Sequence, residues 1–303
     1  MSALRPSLLR RAAAPLAALA LLAAGGILLH APSRAVAQRE QTAGLARPVD
    51  WGSRQDALSR RLSFLTLGGL RSLTAEILTA DATDAWMMQD WPRAQRRWEQ
   101  ITTLAPQRPN YWMRAARDMA RNAVSHTLAR NDLEPPQQAA LAAAYLERGV
   151  RFLQDGAAAN PQSPLILLEL ATLYEDRARR PQFAKAAEAY QKALQLGAPP
   201  MYRRWVFYNL ARIRGREAEA LRLGRELFAE PNSRTPTLRC LIFVLQNRLN
   251  LPQAERWSAD TIFGSTQKAR RDLALFAKND LRFPITGIHE FLRQNQPPRA
   301  DNY

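Results

Sequence analysis

The stretch Asp90–Arg117, DWPRAQRRWEQITTLAPQRPNYWMRAAR, decides the fold. Ala94, Trp98 and Ile101 follow one another at helical steps of four and three, and Pro106 comes five residues later. A small residue lets two helices approach, a large one fills the groove between them, and a third continues the same face. The proline then closes the turn. Gly149, Leu153, Gly156 and Pro161 repeat those steps, and Ala186, Tyr190 and Ala193 repeat the first two, with Pro199 one residue late. The helix after each proline echoes the register: Trp112, Ala115, Ala116 and Met119 after Pro106, then Leu167, Leu170, Ala171 and Tyr174 after Pro161. The same register in both helices of two hairpins points to an internal repeat.

Outward from this stretch, almost everything beyond residue 62 reads as helix, because helix-period apolar spacing recurs and sustained apolar–polar alternation does not. The expected class is all-α, an N-terminal membrane helix followed by an irregular helical-repeat array. The expected order is a tail and anchor over 1–30, a linker over 31–61, repeats over 62–230 and a helical C-terminal cap over 231–303. Between Ala116 and Gly149 the spacing exceeds an ordinary repeat, so that hairpin needs longer helices around a turn at Asn131–Pro136. Arg177–Gln182 reads as a small insertion. In the cap, Thr237–Asn250 is expected as a strongly apolar helix, Pro252–Ile262 as a helix paired with it, and Thr266–Lys278 as an amphipathic one. Terminal caps shield the exposed core face of a repeat array.

The N-terminus carries Arg5, Arg10 and Arg11 without an acid, followed by the uncharged run Ala12–Leu29. A basic flank before an apolar run of this length fits a single membrane span or a secretory signal. Both readings put the rest of the chain outside the cytoplasm. An uncleaved inner-membrane anchor with the bulk of the chain in the periplasm is preferred; cleavage near Ala37, after the small-x-small pattern Ala35-Val36-Ala37, is the alternative. Residues 31–61 are polar, basic and broken by Pro32, Gly44, Pro48 and Gly52, which reads as a linker.

Of the 303 residues, 47% are hydrophobic, enough for a real core and too many for wholesale disorder. The single cysteine, Cys240, excludes a disulfide framework and reads as a core filler in LRCLIFVL. Three histidines and one cysteine leave too little for a zinc site of the usual kind. The formal net charge is +16, and only Lys185, Lys192, Lys268 and Lys278 among the basic residues are not arginine. Such a chain attracts an acidic protein, an anionic polymer or an anionic membrane surface. No nucleic-acid motif accompanies the charge, so no nucleic-acid partner is expected.

The stretches Asp90–Arg117 and Asn160–Pro200 (NPQSPLILLELATLYEDRARRPQFAKAAEAYQKALQLGAPP) resemble the tetratricopeptide repeat family, over roughly residues 74–230. The segment Leu67–Trp86, LGGLRSLTAEILTADATDAW, is similar to the opening of certain bacterial membrane-anchored repeat proteins, with Leu70 and Ser72 departing from their pattern. The resemblance implies helix hairpins stacked into a superhelix, with the first helix of each repeat lining a groove that binds protein. In that register Asn110, Met113, Arg117 and Arg121 line the groove, followed by Leu165, Leu168, Thr172 and Glu175, and then by Tyr208, Arg212 and Arg216. Arginines among polar and aromatic groups can clamp a carboxylate bidentately, so the expected partner is a protein with an acidic segment.

Catalytic chemistry has no signature. His126 and His289 lack companions at metal-ligand spacing, and Asp81, Asp84 and Asp90 read as a solvated acidic face. Trp98 and Trp112 fall on packing positions and are assigned to the core. The chain therefore reads as a scaffold in the bacterial envelope, with no cofactor, metal or small-molecule substrate expected. The alternative is an enzyme or glycan-binding protein on a helical-repeat frame.

Overall fold

Residues 70–176, 181–278 and 283–295 are described by a computed structural model, in which they form helices joined by turns, with no strand among them. In chain order the helices are α1 (Leu70–Met87), α2 (Trp91–Leu104), α3 (Pro109–Arg117), a π-helical segment (Asp118–Ala123), α4 (Val124–Leu128) and α5 (Pro135–Ala159). They continue as α6 (Pro164–Tyr174), α7 (Phe183–Gln195), α8 (Arg203–Leu210), α9 (Glu217–Ala229), α10 (Pro236–Arg248), α11 (Ala259–Phe263), α12 (Thr266–Ala277) and α13 (Ile288–Gln294). The expected anchor, the linker and residues 62–69 lie outside the described residues, as do most of the insertion and the end of the C-terminal tail. Among the described residues no helix is long and apolar enough to cross a membrane. The described residues divide into two compact units, one ending at Ile166 and the other beginning at Leu167.

In the first unit α1 pairs with α2 across a tight turn at Met88–Asp90, where Gln89 takes a left-handed conformation (φ 57°). Asp90 caps α2 by accepting the backbone N–H of Arg93 at 3.0 Å, and Pro92 presets the first turn. Every residue of the α2 register, Ala94, Trp98 and Ile101, is completely buried. The long hairpin is formed by α3–α4 against α5, with the turn between Leu128 and Pro135. Gly149 and Gly156 set its spacing. A Cβ on Gly149 would overlap the Ala120 side chain and stand 2.9 Å from the Ala116 carbonyl oxygen, while one on Gly156 would sit 2.8 Å from Trp112.

Helix propensity alone says that Gly149→Ala stabilises α5 by roughly 0.5–1 kcal/mol. Here the neighbour is backbone, which cannot step aside, and overpacking costs roughly 1–3 kcal/mol. Gly149→Ala should therefore lower stability, by about 1–2 kcal/mol after that offset. Urea denaturation reads the sign directly; a stabilised variant would mean that α3 and α5 do not approach this closely.

The π-helical turns at Asp118–Ala123 were not anticipated from the sequence. They lengthen the turn locally while the buried positions Trp112, Ala116, Met119, Ala123 and Thr127 stay on the side facing the core. No residue type in DMARNA announces them. They arise where a helix keeps one stripe packed on a long partner, α5, over more turns than an ordinary repeat requires.

In the second unit α7 packs on α8, and α9 on α8 and α10. Ala186, Tyr190 and Ala193 are buried, as the register requires. A further copy of the register, missed in the sequence, appears in α9: Ala220, Gly224 and Leu227 are buried, and a Cβ on Gly224 would meet the Phe207 ring at 2.6 Å. Helix α10 is the centre of this unit, with seven consecutive buried residues from Cys240 to Gln246. Burial pushes the Cys240 thiol up to about 12, so the nucleophilic thiolate is scarce at neutral pH. Native protein should accordingly react with a thiol reagent only as fast as it opens, at least a hundredfold slower than in denaturant. Equal rates would contradict the burial of α10.

The expected helix over Pro252–Ile262 is not formed. Gln253–Glu255 makes one 3₁₀ turn, Arg256–Ser258 runs extended, and α11 begins only at Ala259. The cause is the buried Gln246, whose Oε1 accepts the Trp257 backbone N–H at 2.9 Å and whose Nε2 donates to the Trp257 carbonyl at 3.3 Å. Pinning both backbone groups of one residue to a neighbouring side chain is incompatible with continuing a helix through it. Ser258 then starts α11 by accepting from the Thr261 N–H at 3.1 Å.

Candidate functional site

In the first unit the expected groove residues lie along α3 and the π-helical segment. Asn110, Arg117 and Arg121 are exposed and Met113 is half-buried, while Trp112, Ala115 and Ala116 face the core. Beside them runs a polar stripe toward α1 and α2. The Tyr111 hydroxyl donates to Glu76 at 2.6 Å, and the Arg114 guanidinium lies 5.3 Å from the Trp98 ring centroid. Asp118 accepts from Trp98 Nε1 at 2.8 Å and from Asn122 Nδ2 at 3.0 Å. Burial raises the Asp118 carboxyl above the usual carboxylate range despite those donors and the nearby Arg114 and Arg117. Arg117 and Arg121 are exposed beside these contacts. Leu165, the next position in the register, is also exposed, at 54%.

The second unit closes its expected positions into a network. Tyr190 donates to Glu175 Oε1 at 2.7 Å, Asn209 Nδ2 donates to Glu175 Oε2 at 3.0 Å, and Arg212 lies 3.9 Å from the same oxygen. The Arg212 side chain is only 12% exposed. Its guanidinium sits 4.8 Å from the Phe183 ring and 4.1 Å from the Phe283 ring. Burial, and then the Glu175 charge, push the Tyr190 hydroxyl far above its ordinary range. Tyr208 is half-buried, sharing a hydrogen bond with Thr235 Oγ1 at 2.8 Å. Leu168 is buried, and Thr172 bonds back to the Leu168 carbonyl at 2.9 Å. Arg216 stays outside the cluster, exposed and paired with Glu219. Glu175 and Arg212 therefore come together with Tyr190 and Asn209, while Tyr208 bonds Thr235 instead, and Arg212 is spent on Glu175 and two rings rather than displayed.

Sequence reasoning missed Asn209 and Trp205. Asn209 is fully buried within α8 and its Oδ1 finds no hydrogen-bond partner among the described residues. Trp205 stacks on Tyr190 at 6.3 Å and remains 39% exposed. Neither carries a local signal, because burial of an asparagine near the end of α8 depends on a carboxylate 34 residues earlier.

The remaining candidates have structural partners. His126 Nδ1 accepts the Trp91 indole N–H at 2.9 Å. Asp81 does not stand on a solvated face, because Arg93 and Arg97 both clamp it and hold its carboxyl below the usual range. Asp90 is the α2 cap. Among the described residues no group of three or more His, Cys, Asp or Glu is placed to hold a metal ion. A cavity of about 240 Å³ lies between α2, α3 and α5, bordered by Glu99, Trp112, Arg148, Phe152 and Asp155. Arg148 pairs with Glu99 across it, and burial lowers Arg148 and raises Asp155 from their ordinary ranges. Two acids, Glu99 and Asp155, stand there with two arginines, Arg148 and Arg151, so its charges balance. Compared with known proteins, the chain matches no family model and no curated protein.

Proposed function

We propose that this chain is a scaffold of the tetratricopeptide type, anchored in a bacterial inner membrane with its repeats in the periplasm, that captures a protein carrying an acidic segment. The observation that carries the reading is the division of labour along α3 and the π-helical segment. The register residues Trp112, Ala115 and Ala116 are buried, while Asn110, Arg117 and Arg121, placed on the groove side by the same register, are exposed. The burial of the register positions, a small residue, a large one and a third on the same face, in α2, α5 and α7 supports the repeat assignment. The basic flank and apolar run at the N-terminus support the anchor.

The two displayed arginines carry the capture, and Arg212 has a positioning role in its own unit. Replacing Arg117 and Arg121 together with alanine should weaken capture of the partner at least tenfold while leaving helicity and thermal midpoint within the small range of surface substitutions. Replacing Arg96 and Arg222, both exposed elsewhere, should do neither. Co-purification from detergent-solubilised envelope, read by mass spectrometry, compares the two pairs. Equal loss in both would mean that attraction is diffuse charge and that the groove reading is wrong.

A further inference from the structure

A cleft of about 630 Å³ opens over α12, between that helix and α13, and its charged lining is entirely cationic: Lys268, Arg270 and Arg271, with Ser265 and Gln267 as neutral polar groups and Leu292 as an apolar wall. Elsewhere on the molecule several exposed and half-buried arginines are answered by acids. Arg97 meets Asp81, Arg203 meets Glu230, Arg248 meets Glu217 and Arg293 meets Glu290. The acids nearest in sequence to the cleft are already engaged: Asp272 by Arg271 at 3.2 Å, Asp260 by the Thr266 hydroxyl at 3.0 Å, and Glu290 by Arg293 and Gln294. Lys268 and Arg270 have no carboxylate within ion-pairing distance among the described residues. Arg270 is half-buried, and its Nε is shielded from solvent without an acceptor. A shielded donor left unsatisfied costs free energy comparable to a lost hydrogen bond, a cost that Arg270 shares with Arg148, Arg225 and Arg239.

We propose that this cleft binds a phosphate ester: a phosphoryl group seated among Lys268, Arg270 and Arg271, with the esterified alcohol against Ser265, Gln267 and Leu292. The chemistry follows from the lining. Guanidinium donates to phosphate oxygens in a bidentate fork, and ammonium adds a compact point charge. Three cations, two of them without carboxylate partners among the described residues, suit the several acceptor oxygens of a phosphate monoester or diester. The cleft volume accommodates the phosphoryl group together with a small polyol, and its two neutral hydrogen-bonding side chains suit hydroxyl groups. The same headgroup chemistry is offered by a soluble phosphate ester and by an anionic phospholipid such as phosphatidylglycerol. This site is independent of the groove arginines.

The test uses the full chain in neutral detergent or reconstituted in phosphatidylcholine vesicles. Glycerol 1-phosphate is titrated calorimetrically at constant ionic strength, and vesicles with and without phosphatidylglycerol are compared. The variant Lys268→Gln/Arg270→Gln/Arg271→Gln should bind glycerol 1-phosphate at least tenfold more weakly than the parent, or lose its response to phosphatidylglycerol. The control Lys192→Gln/Arg214→Gln/Arg222→Gln, with the same charge change, should behave as the parent. Saturable binding of the soluble ester identifies a soluble ligand. A cleft-dependent response to phosphatidylglycerol alone identifies the lipid headgroup, and either supports the site. Equal weakening in the control, or no response to either probe in the parent at millimolar phosphate ester, overturns it. Circular dichroism on both variants separates loss of the site from loss of the fold.

Discussion

Trp98→Ala should destabilise the first unit by about 3–5 kcal/mol, the cost of truncating a large buried aromatic. Trp98 is completely buried in α2, and its ring is covered by the Arg114 guanidinium at 5.3 Å. Its indole N–H also donates to Asp118 at 2.8 Å, so truncation removes packing and a charge-assisted hydrogen bond together. The second loss has its own signature. Asp118 is already raised by burial, and removing a donor to its ionised form should raise it further. Trp98→Phe, which keeps most of the ring and drops the donor, should cost less stability and still shift Asp118 upward. Chemical denaturation and the Asp118 carboxyl titration by NMR read the two effects separately. An unchanged thermal midpoint in Trp98→Ala would show that the repeat register is misplaced.

Glu175→Ala should be of similar size in the second unit, about 3–5 kcal/mol and nearer the lower figure because Arg212 stands 3.9 Å away rather than in direct contact. One carboxylate serves Tyr190, Asn209 and Arg212, and the alanine strips all three of that acceptor. Removing one partner of a buried pair is costly because the other side is left desolvated. Glu175→Gln keeps an oxygen for Tyr190 or Asn209 and should recover part of the loss. It should also bring the Tyr190 hydroxyl down, since the Glu175 charge is the cause named after burial. If alanine and glutamine cost the same, the network contributes volume rather than hydrogen bonding.

Packing was legible in the sequence where it rested on periodic small and large residues. Gly149 and Gly156 could be read as close-approach positions because a helix tolerates glycine in its interior only at a cost, and the structure places backbone and Trp112 against them. The copy of that register in α9 was harder to see, because Gly224 occupies the position where Trp98, Leu153 and Tyr190 stand in the other helices. It is complemented there by Phe207 reaching in from α8. The Pro252–Ile262 break was not legible at all, since it is imposed by Gln246 from a different helix.

The groove residues divide on the same physical line. Periodicity predicts which side of a helix is turned from the core, and Asn110, Arg117 and Arg121 are exposed accordingly. It does not predict what an arginine then meets. Arg212 satisfies the register yet is enclosed by Glu175, Phe183 and Phe283, the last of them 71 residues further along the chain. Long, flexible cationic side chains cover apolar surface and find carboxylates through tertiary proximity that no local pattern encodes.

The central claim is that the exposed side of α3 receives a protein. A photo-crosslinking amino acid placed singly at Arg117, Arg121, Arg96 or Arg222 of the chain in its native cells tests that most directly. The account predicts one dominant adduct at Arg117 and Arg121, identified by mass spectrometry as a single protein joined through or beside an acidic segment, and none at Arg96 or Arg222. No protein adduct at Arg117 and Arg121, or the same mixture of adducts at all four positions, would contradict it.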